Sequence, residues 1–589
     1  MTVEKKRIAV IEYDNCNPLK CGNYLCEKVC PVNRNGKECI IHAPQQKPKI
    51  SEDICIGCEI CQNRCPFGAI SIVNTSLDLS EIIHSYGQNA FRLYGLATPK
   101  PNHVIGFVGR NGIGKTTIVK ILSGNLIPNM SLKMNAEEAK QNVINHYKGK
   151  SEQEFFKKLY SLGIKVAVKP QNIELIKAHG TARELLSKIA KNEEIEALAE
   201  ELNIKPLLDR QCESLSGGEF QKIAIAATGL KKADLYFFDE PTSFLDIKER
   251  LRIAKFIRRL AEKAAVIVVE HDLILLDYLS DYVNLMYGKP KVYGFVSNIK
   301  TTREGINDYL EGYSKEENYR FRGYSINFFG GAQRDKKEKR EIVAKWPTFE
   351  KRLGEFTLNT TENSIKKNEV VGVVGPNGIG KTTFMKILAG ELKLDNGELE
   401  QRAKISYKPQ YISYTGDKTV GDLFYDSGAD MDQTKASLLK PLEIDDLLEK
   451  KAKNISGGEL QRVSIALCLS KKADLYLLDE PSAYLDVEQR LMVGKTIRSQ
   501  MDINDCSSMI IDHDLTFIDF VADKLMVFTG EPAKHGQIEG PFGVEQGMNK
   551  LLQYLDITVR RDKDSQRPRI NKHDSVLDRE QKASGSYYR

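Results

Sequence analysis

Gly109-Arg-Asn-Gly-Ile-Gly-Lys-Thr116 and Gly375-Pro-Asn-Gly-Ile-Gly-Lys-Thr382 are two versions of one eight-residue motif, and each follows an apolar run, Val104 to Val108 and Val370 to Val374. A G-x-x-x-x-G-K-[ST] pattern between a strand and a helix predicts a loop whose backbone N–H groups surround phosphate. Gly109, Gly112 and Gly114, and again Gly375, Gly378 and Gly380, keep Cβ atoms out of the way, with Asn111 and Asn377 between them. Lys115 and Lys381 are expected to pair with the β- and γ-phosphates. Thr116 and Thr382 would place a hydroxyl on Mg2+, and Thr117 and Thr383 follow in the same turn. One such match could be chance; two in the same context are not.

Working outward, Leu235-Tyr-Phe-Phe-Asp-Glu240 recurs as Leu475-Tyr-Leu-Leu-Asp-Glu480, so the chain holds two copies of one domain. Lys115 to Lys381 is 266 residues, whereas Glu240 to Glu480 is 240, which leaves 26 extra residues in copy one. The surplus falls at about 129–163, where two helical patterns flank Lys148-Gly149-Lys150 and predict an inserted helix-loop-helix. It reads either as a solvated decoration or as a docking element whose lysines meet an anionic surface.

Four apolar residues ending in Asp-Glu describe a buried strand that carries Asp239 and Asp479 toward the metal. Glu240 and Glu480 then stand one step nearer the attacking water as general bases. His271 and His513 follow further apolar strands and are placed to contact the γ-phosphate.

A length of 589 residues predicts several domains. No apolar run is long enough to cross a bilayer, and Met1 to Val10 carries charges where a signal peptide needs an apolar stretch. A cytoplasmic protein is expected. Its net charge of +6 is too weak to argue for nucleic acid by itself. Nine of the twelve cysteines fall between Cys16 and Cys65, a crowding that points to metal, while Cys212, Cys468 and Cys506 read as core residues.

Cys55-x2-Cys58-x2-Cys61-x3-Cys65-Pro66 is the bacterial ferredoxin run, in which the fourth cysteine ligates the other cluster. The wider run Cys16-x4-Cys21-x4-Cys26-x3-Cys30-Pro31 ends the same way. Crossing over gives one 4Fe-4S cluster on Cys16, Cys21, Cys26 and Cys65 and a second on Cys30, Cys55, Cys58 and Cys61. Cys39 is left over, with replacement of Cys26 as its alternative role. Zinc is the rival metal, although zinc sites favour separated Cys-x2-Cys pairs.

Leu215-Ser-Gly-Gly-Glu219 and Ile455-Ser-Gly-Gly-Glu459 resemble the signature sequence of ABC proteins. In that family the signature of one cassette completes the site of the other. Ser216, Gly217 and Gly218, like Ser456, Gly457 and Gly458, would bring a helix N-terminus to the γ-phosphate. Further positions match the family's pattern. Gln171 and Gln410 would sense Mg2+ and water, and Asp246 and Asp486 would cross the interface. Phe91, with Tyr86 nearby, and Phe356 would meet adenine; Leu353 stands where the second site would carry a partner for Phe356, so the adenine contacts are expected to differ between the sites.

The whole chain resembles the ABC-E family, the ribosome recycling factors also called RNase L inhibitors. The fold so implied is α/β: two P-loop ABC cassettes arranged head to tail, after a ferredoxin-like α+β domain with two iron-sulfur clusters. The expected bounds are 1–75 for the cluster domain, 76–296 and 346–535 for the cassettes, 297–345 for a hinge and 536–589 for a basic C-terminal hinge segment. The resemblance implies a monomer that splits the ribosome after termination or rescue while ATP is bound, then stays on the small subunit. Its partners would be ribosomal RNA, a release or rescue factor of the archaeal and eukaryotic kind, and initiation factors. An ATP-coupled iron-sulfur electron-transfer protein is the alternative. A transporter ATPase would need a membrane subunit, and a DNA-associated one a far longer insertion.

Overall fold

The computed structural model describes residues 6–75, 82–132, 134–170, 179–328, 341–395, 403–410, 414 and 416–589. Its frame is a pair of eight-stranded sheets with the same strand order. In the first cassette the strands are β1 (Ile82–Ser85), β2 (Arg92–Tyr94), β3 (Val104–Val108), β4 (Val166–Lys169), β5 (Leu235–Asp239), β6 (Ala265–Val269), β7 (Tyr282–Lys289) and β8 (Tyr293–Thr301). They are arranged β1-β2-β8-β7-β3-β6-β5-β4. In the second cassette the strands are β9 (Phe349–Leu353), β10 (Phe356–Thr360), β11 (Val370–Val374), β12 (Ile405–Lys408), β13 (Leu475–Asp479), β14 (Ser507–Ile511), β15 (Lys524–Glu531) and β16 (His535–Gly543). Their order, β9-β10-β16-β15-β11-β14-β13-β12, is the same topology repeated.

The central strands are parallel, and every residue of β3, β5 and β6 is buried. A parallel sheet covered on both faces needs such continuous apolar runs, which is why these strands show no alternation in sequence. Each phosphate loop leaves the C-terminal end of β3 or β11, between neighbouring strands that also end there. Ligands bind at this edge of open α/β sheets.

The two hinge bounds expected from sequence cut through strands of this frame, so neither marks a break in the fold. A break at 296/297 would split β8, which pairs with β7 from Tyr293 to Thr301, and a break at 535/536 would split β16. The helices Thr302–Glu311 and Val544–Leu555 then pack beside β7 and β15, so both stretches finish cassettes. Ile342–Trp346 pairs with Asn363–Lys366 in the second cassette. Amphipathic polarity had made these closing strands and helices look like linker. Most of the Arg334–Glu341 charge run lies outside the described residues.

The remaining connecting segments are anchored. Buried Arg322 donates to Glu488 at 2.8 Å, tying the hinge to the helix Val487–Asn504 of the second cassette. In the tail, Arg569 Nε donates to Asp277 of the first cassette at 2.6 Å. The surplus of the first copy contains the helices Ala136–His146 and Ser151–Lys157. Val143, Tyr147 and Phe156 pack from it into the cassette core, with Tyr147 and Phe156 stacked at 5.6 Å.

In the N-terminal unit Lys6–Ile11 pairs antiparallel with Ile70–Thr75. It is docked on the first cassette by Asn89, whose amide donates to Ala9 O at 3.0 Å and Ile50 O at 2.9 Å, and by an Arg92–Glu52 ion pair at 2.7 Å.

Candidate functional site

The phosphate loops owe their shape to close approaches. Gly114 and Gly380 have φ of 99° and 93°, and a Cβ there would lie 2.8 Å and 2.9 Å from the Cζ atoms of Phe91 and Phe356. The two aromatic rings expected at adenine therefore pack under the loops. In the first site Tyr86 Oη reaches Thr117 Oγ1 at 3.2 Å. In the second, Leu353 is the cross-strand partner of Phe356, where the first site has Tyr86 beside Phe91.

Within the first loop Lys115 Nζ donates to Gly109 O at 2.7 Å and lies 3.1 Å from His271 Nε2. Lys381 Nζ donates to Gly375 O at 2.9 Å. Thr382 Oγ1 donates to Asp479 Oδ2 at 2.8 Å, and Gln410 Nε2 donates to Glu480 Oε1 at 2.8 Å. Among the described residues Asp479 Oδ1 is buried without a hydrogen-bond partner, an acceptor oxygen left for a cation. The oxygen donors Thr382, Asp479 and Gln410 suit Mg2+, which takes oxygen ligands. Thr116 and Asp239 stand together in the first cavity, while Gln171 lies outside the described residues.

Glu240 and Glu480 lie one residue beyond their strands, with His271 Nε2 at 3.6 Å and His513 Nε2 at 3.5 Å from their carboxylates. Burial, and then the Asp479 charge, raise Glu480 above the ordinary glutamate range, which suits a group that must accept a proton near neutral pH. Burial, reinforced by Glu240, pushes Asp239 up to about 7, a situation that a divalent cation would reverse. Burial and the neighbouring Lys115 and Lys381 hold His271 and His513 well below the usual histidine range, leaving both imidazoles neutral at pH 7.

The signatures open helices Gly217–Gly229 and Gly457–Ser470. Ser216 and Ser456 cap them, each Oγ accepting at 3.3 Å from the N–H of Glu219 or Glu459. These glutamates return the contact to the serine N–H at 2.8 Å. This capping box fixes the helix start and leaves the hydroxyl hydrogen of the serine available for phosphate.

A cavity of about 1710 Å3 joins the first phosphate loop to Ser456, Gly457 and Gly458 of the other cassette. The interface is reciprocal. Asn111 N donates to Asp486 Oδ2, and Asn377 N donates to Asp246 Oδ2, both at 3.0 Å. Phe244 and Tyr484 meet edge-to-face at 5.5 Å between them.

Sequence reasoning missed several parts of this arrangement. Glu12, Asn15 and Phe67 of the N-terminal unit line the first cavity. Asn15 and Phe67 flank Cys16 and Cys65-Pro66, but nothing in their types announces it. Arg250 and Arg490, each four residues after an interface aspartate, bind Asp272 at 2.8 Å and Asp514 at 2.6 Å. The repeat itself held that signal, since Arg-Leu recurs at the same offset in both copies.

Cys16, Cys21, Cys26 and Cys65 line one pocket with Tyr24 and Ile70. Burial pushes the Cys26 and Cys61 thiols up to about 12, and the neighbouring cysteines add to it. Ionising such crowded thiols is unfavourable until a metal centre compensates the charge, so the donor set fits an iron-sulfur group. Cys30, Cys55 and Cys61 are buried and Cys58 is exposed. Cys39 sits against Cys55 and Cys30 and is not among the residues lining the Cys26 pocket.

The fold, the paired loops and the exchanged signatures define an ABC-type ATPase of two cassettes. The family comparisons agree. The ABC transporter profile matches residues 97–243 and 358–483, a profile described as "Possible Fer4-like domain in RNase L inhibitor, RLI" matches 7–38, and the 4Fe-4S binding domain matches 48–71.

The chain is 47% identical to an uncharacterized ABC transporter ATP-binding protein of Methanocaldococcus jannaschii, covering 99% of this chain and 97% of that one. It is 42% identical to translation initiation factor RLI1 of Saccharomyces cerevisiae, covering 100% and 99%. Among solved structures, the ABCE1 chain of a ribosome-bound archaeal Pelota–ABCE1 complex matches with TM-score 0.95 and 50% identity over 100% of both chains. The archaeal ribosome recycling factor aABCE1, in complex with the ribosomal stalk protein aP1, matches with TM-score 0.80 and 48% identity over 86% of this chain and 99% of that one. This chain belongs to the ABC-E family, the RNase L inhibitor or RLI1 proteins. Among the described residues no helix is long and apolar enough to cross a membrane.

Proposed function

We propose that this ATPase is a ribosome recycling factor, which uses ATP to split the ribosome into subunits after termination or rescue and then remains on the small subunit. The observation that carries the reading is full-length likeness. Cluster domain, insertion, cassettes and hinges together superpose on a ribosome-bound relative at TM-score 0.95, where a shared ATPase fold alone would have matched the cassettes only. Ribosomal RNA, the small subunit, a Pelota-like release or rescue factor and initiation factors are the partners that follow from it. Lys148 and Lys150, at the tip of the insertion, suit salt-dependent phosphate contacts.

In the mechanism that these residues support, the phosphate-loop N–H groups and Lys115 or Lys381 hold the triphosphate. The opposite signature helix closes on the γ-phosphate, so that two bound nucleotides draw the cassettes together. Mg2+, held by Thr116 and Asp239 with Gln171, or by Thr382 and Asp479 with Gln410, would neutralise phosphate charge. Glu240 or Glu480 takes a proton from the attacking water, and the neutral His271 or His513 orients that water and the γ-phosphate. Two 4Fe-4S clusters, on Cys16, Cys21, Cys26 and Cys65 and on Cys30, Cys55, Cys58 and Cys61, would make the N-terminal unit a rigid arm. Because Glu12, Asn15 and Phe67 line the first cavity, nucleotide there is placed to set the position of the arm.

The test is sedimentation of the full chain with small ribosomal subunits. Association is expected with a non-hydrolysable ATP analogue and not without nucleotide, at low and moderate salt. Equal sedimentation in both conditions counts against the proposal.

A further inference from the structure

Two buried lysines outside the nucleotide motifs stand behind the hydrolytic carboxylates. Lys169 and Lys408 are 1% and 2% exposed and are the last residues of β4 and β12. Register places them beside Phe238 and Leu478, one residue short of the metal-side aspartates. Each ammonium reaches the C-terminal end of the neighbouring strand. Lys169 Nζ donates to Asp239 O at 2.8 Å and to Glu240 O at 3.3 Å. Lys408 Nζ donates to Asp479 O at 2.8 Å and to Pro409 O at 3.2 Å.

Lysine is seldom fully buried, because an ammonium loses its hydration there and must be matched by good acceptors. In both cassettes those acceptors include the carbonyl of the metal-side aspartate, a recurrence that chance burial does not explain. The glutamate that follows needs such support. Glu240 and Glu480 both have φ of 46°, in the left-handed region that non-glycine residues hold only when their surroundings over-determine it. Their N–H groups donate to Val269 O at 2.9 Å and Ile511 O at 2.8 Å. Their carbonyls accept from Gln221 at 2.7 Å and Gln461 at 2.6 Å. The lysine secures the residue before, by a charge-assisted bond that is stronger than a neutral one.

We infer that Lys169 and Lys408 are positioning residues for ATP hydrolysis: each fixes the backbone of the Asp-Glu pair so that the glutamate carboxylate stays beside its histidine, ready to take the proton from water. Lys408 also bonds Pro409 O and so ties Gln410, which contacts Glu480, to the same anchor. The inference rests on Glu240 and Glu480 being the bases. Neither lysine is among the residues lining the cavity between the first phosphate loop and the opposite signature, so turnover should fall while nucleotide affinity stays.

The experiment is steady-state ATP turnover and binding of a non-hydrolysable ATP analogue by the full chain. Lys169→Met with Lys408→Met keeps the stems and removes the heads. Turnover (kcat) should fall about tenfold or more, with KM and analogue affinity within about threefold of the parent, the pattern of a group that acts on the transition state. A lysine that only supports the fold would lower affinity and turnover together, and that result, or kcat within twofold of the parent, overturns the inference. If the methionine pair does not elute as a folded monomer, Lys169→Gln with Lys408→Gln is read by the same criteria. Glu240→Gln with Glu480→Gln, measured alongside, separates the two readings. If those variants keep turnover, the assignment of the bases fails; if they lose it while the lysine variants do not, only the lysine inference fails.

Discussion

The backbone N–H of Asn111, in the first phosphate loop, donates to Asp486 Oδ2 of the second cassette at 3.0 Å. Its counterpart Asn377 is held by Asp246 at the same distance. Each phosphate loop is therefore shaped partly by a carboxylate from the other cassette, and neither site is complete alone. Changing both aspartates to alanine should remove two bonds that each contribute about 1.5–3 kcal/mol. Cassette closure, followed as the distance between two fluorophores, should then need more than about tenfold higher ATP. An unchanged closing curve would show that these bonds do not hold the interface.

Loss of the general base should separate binding from hydrolysis. For Glu480→Gln a fall in turnover of about a hundredfold or more at that site is expected, with ATP retained in a closed form. Nucleotide carried through a desalting column measures it. Rapid loss of unhydrolysed ATP from the variant would contradict the assignment.

The cysteine grouping predicts selective metal loss. The full chain should contain about eight irons, and Cys61→Ser should lose about half of them while Cys39→Ser keeps all. Iron and acid-labile sulfide assays decide this. An equal loss in the Cys39 variant would make Cys39 a ligand.

The buried histidines predict how stability depends on pH. His271 and His513 titrate well below their unfolded value of about 6.5, so below that pH the unfolded chain binds more protons and stability falls. The limiting slope is about 1.4 kcal/mol per pH unit for each histidine. Asp239, raised to about 7, acts in the opposite sense between the acidic and neutral range. The histidine contribution is therefore read as the difference between parent and His271→Gln with His513→Gln in urea unfolding at about pH 5.5 and 7.5. The variant should lose less stability on acidification; an equal loss would mean that the imidazoles are not neutral in the fold.

Much of this was legible in the chain because the ATP chemistry is written in short contiguous motifs, and a duplication prints each of them twice. Glycine spacing located the loops, and Asp-Glu after four apolar residues located the strand ends. What stayed hidden depends on contacts distant in sequence. β8 and β16 looked like linker because their polar residues are covered by helices arriving later. Asn15 and Phe67 became cavity-lining residues only through docking of the N-terminal unit. Lys169 and Lys408 belong to no motif, and only their carbonyl partners mark them out.

Cassette closure around ATP is expected to drive a mechanical event on the ribosome. It is tested most directly by light scattering of assembled ribosomes mixed with the full chain, a Pelota-like factor and ATP. Scattering should fall as subunits separate, more slowly for Asp246→Ala with Asp486→Ala. The chain should afterwards migrate with the small subunit on a gradient. Unchanged scattering with a chain that hydrolyses ATP normally would contradict it.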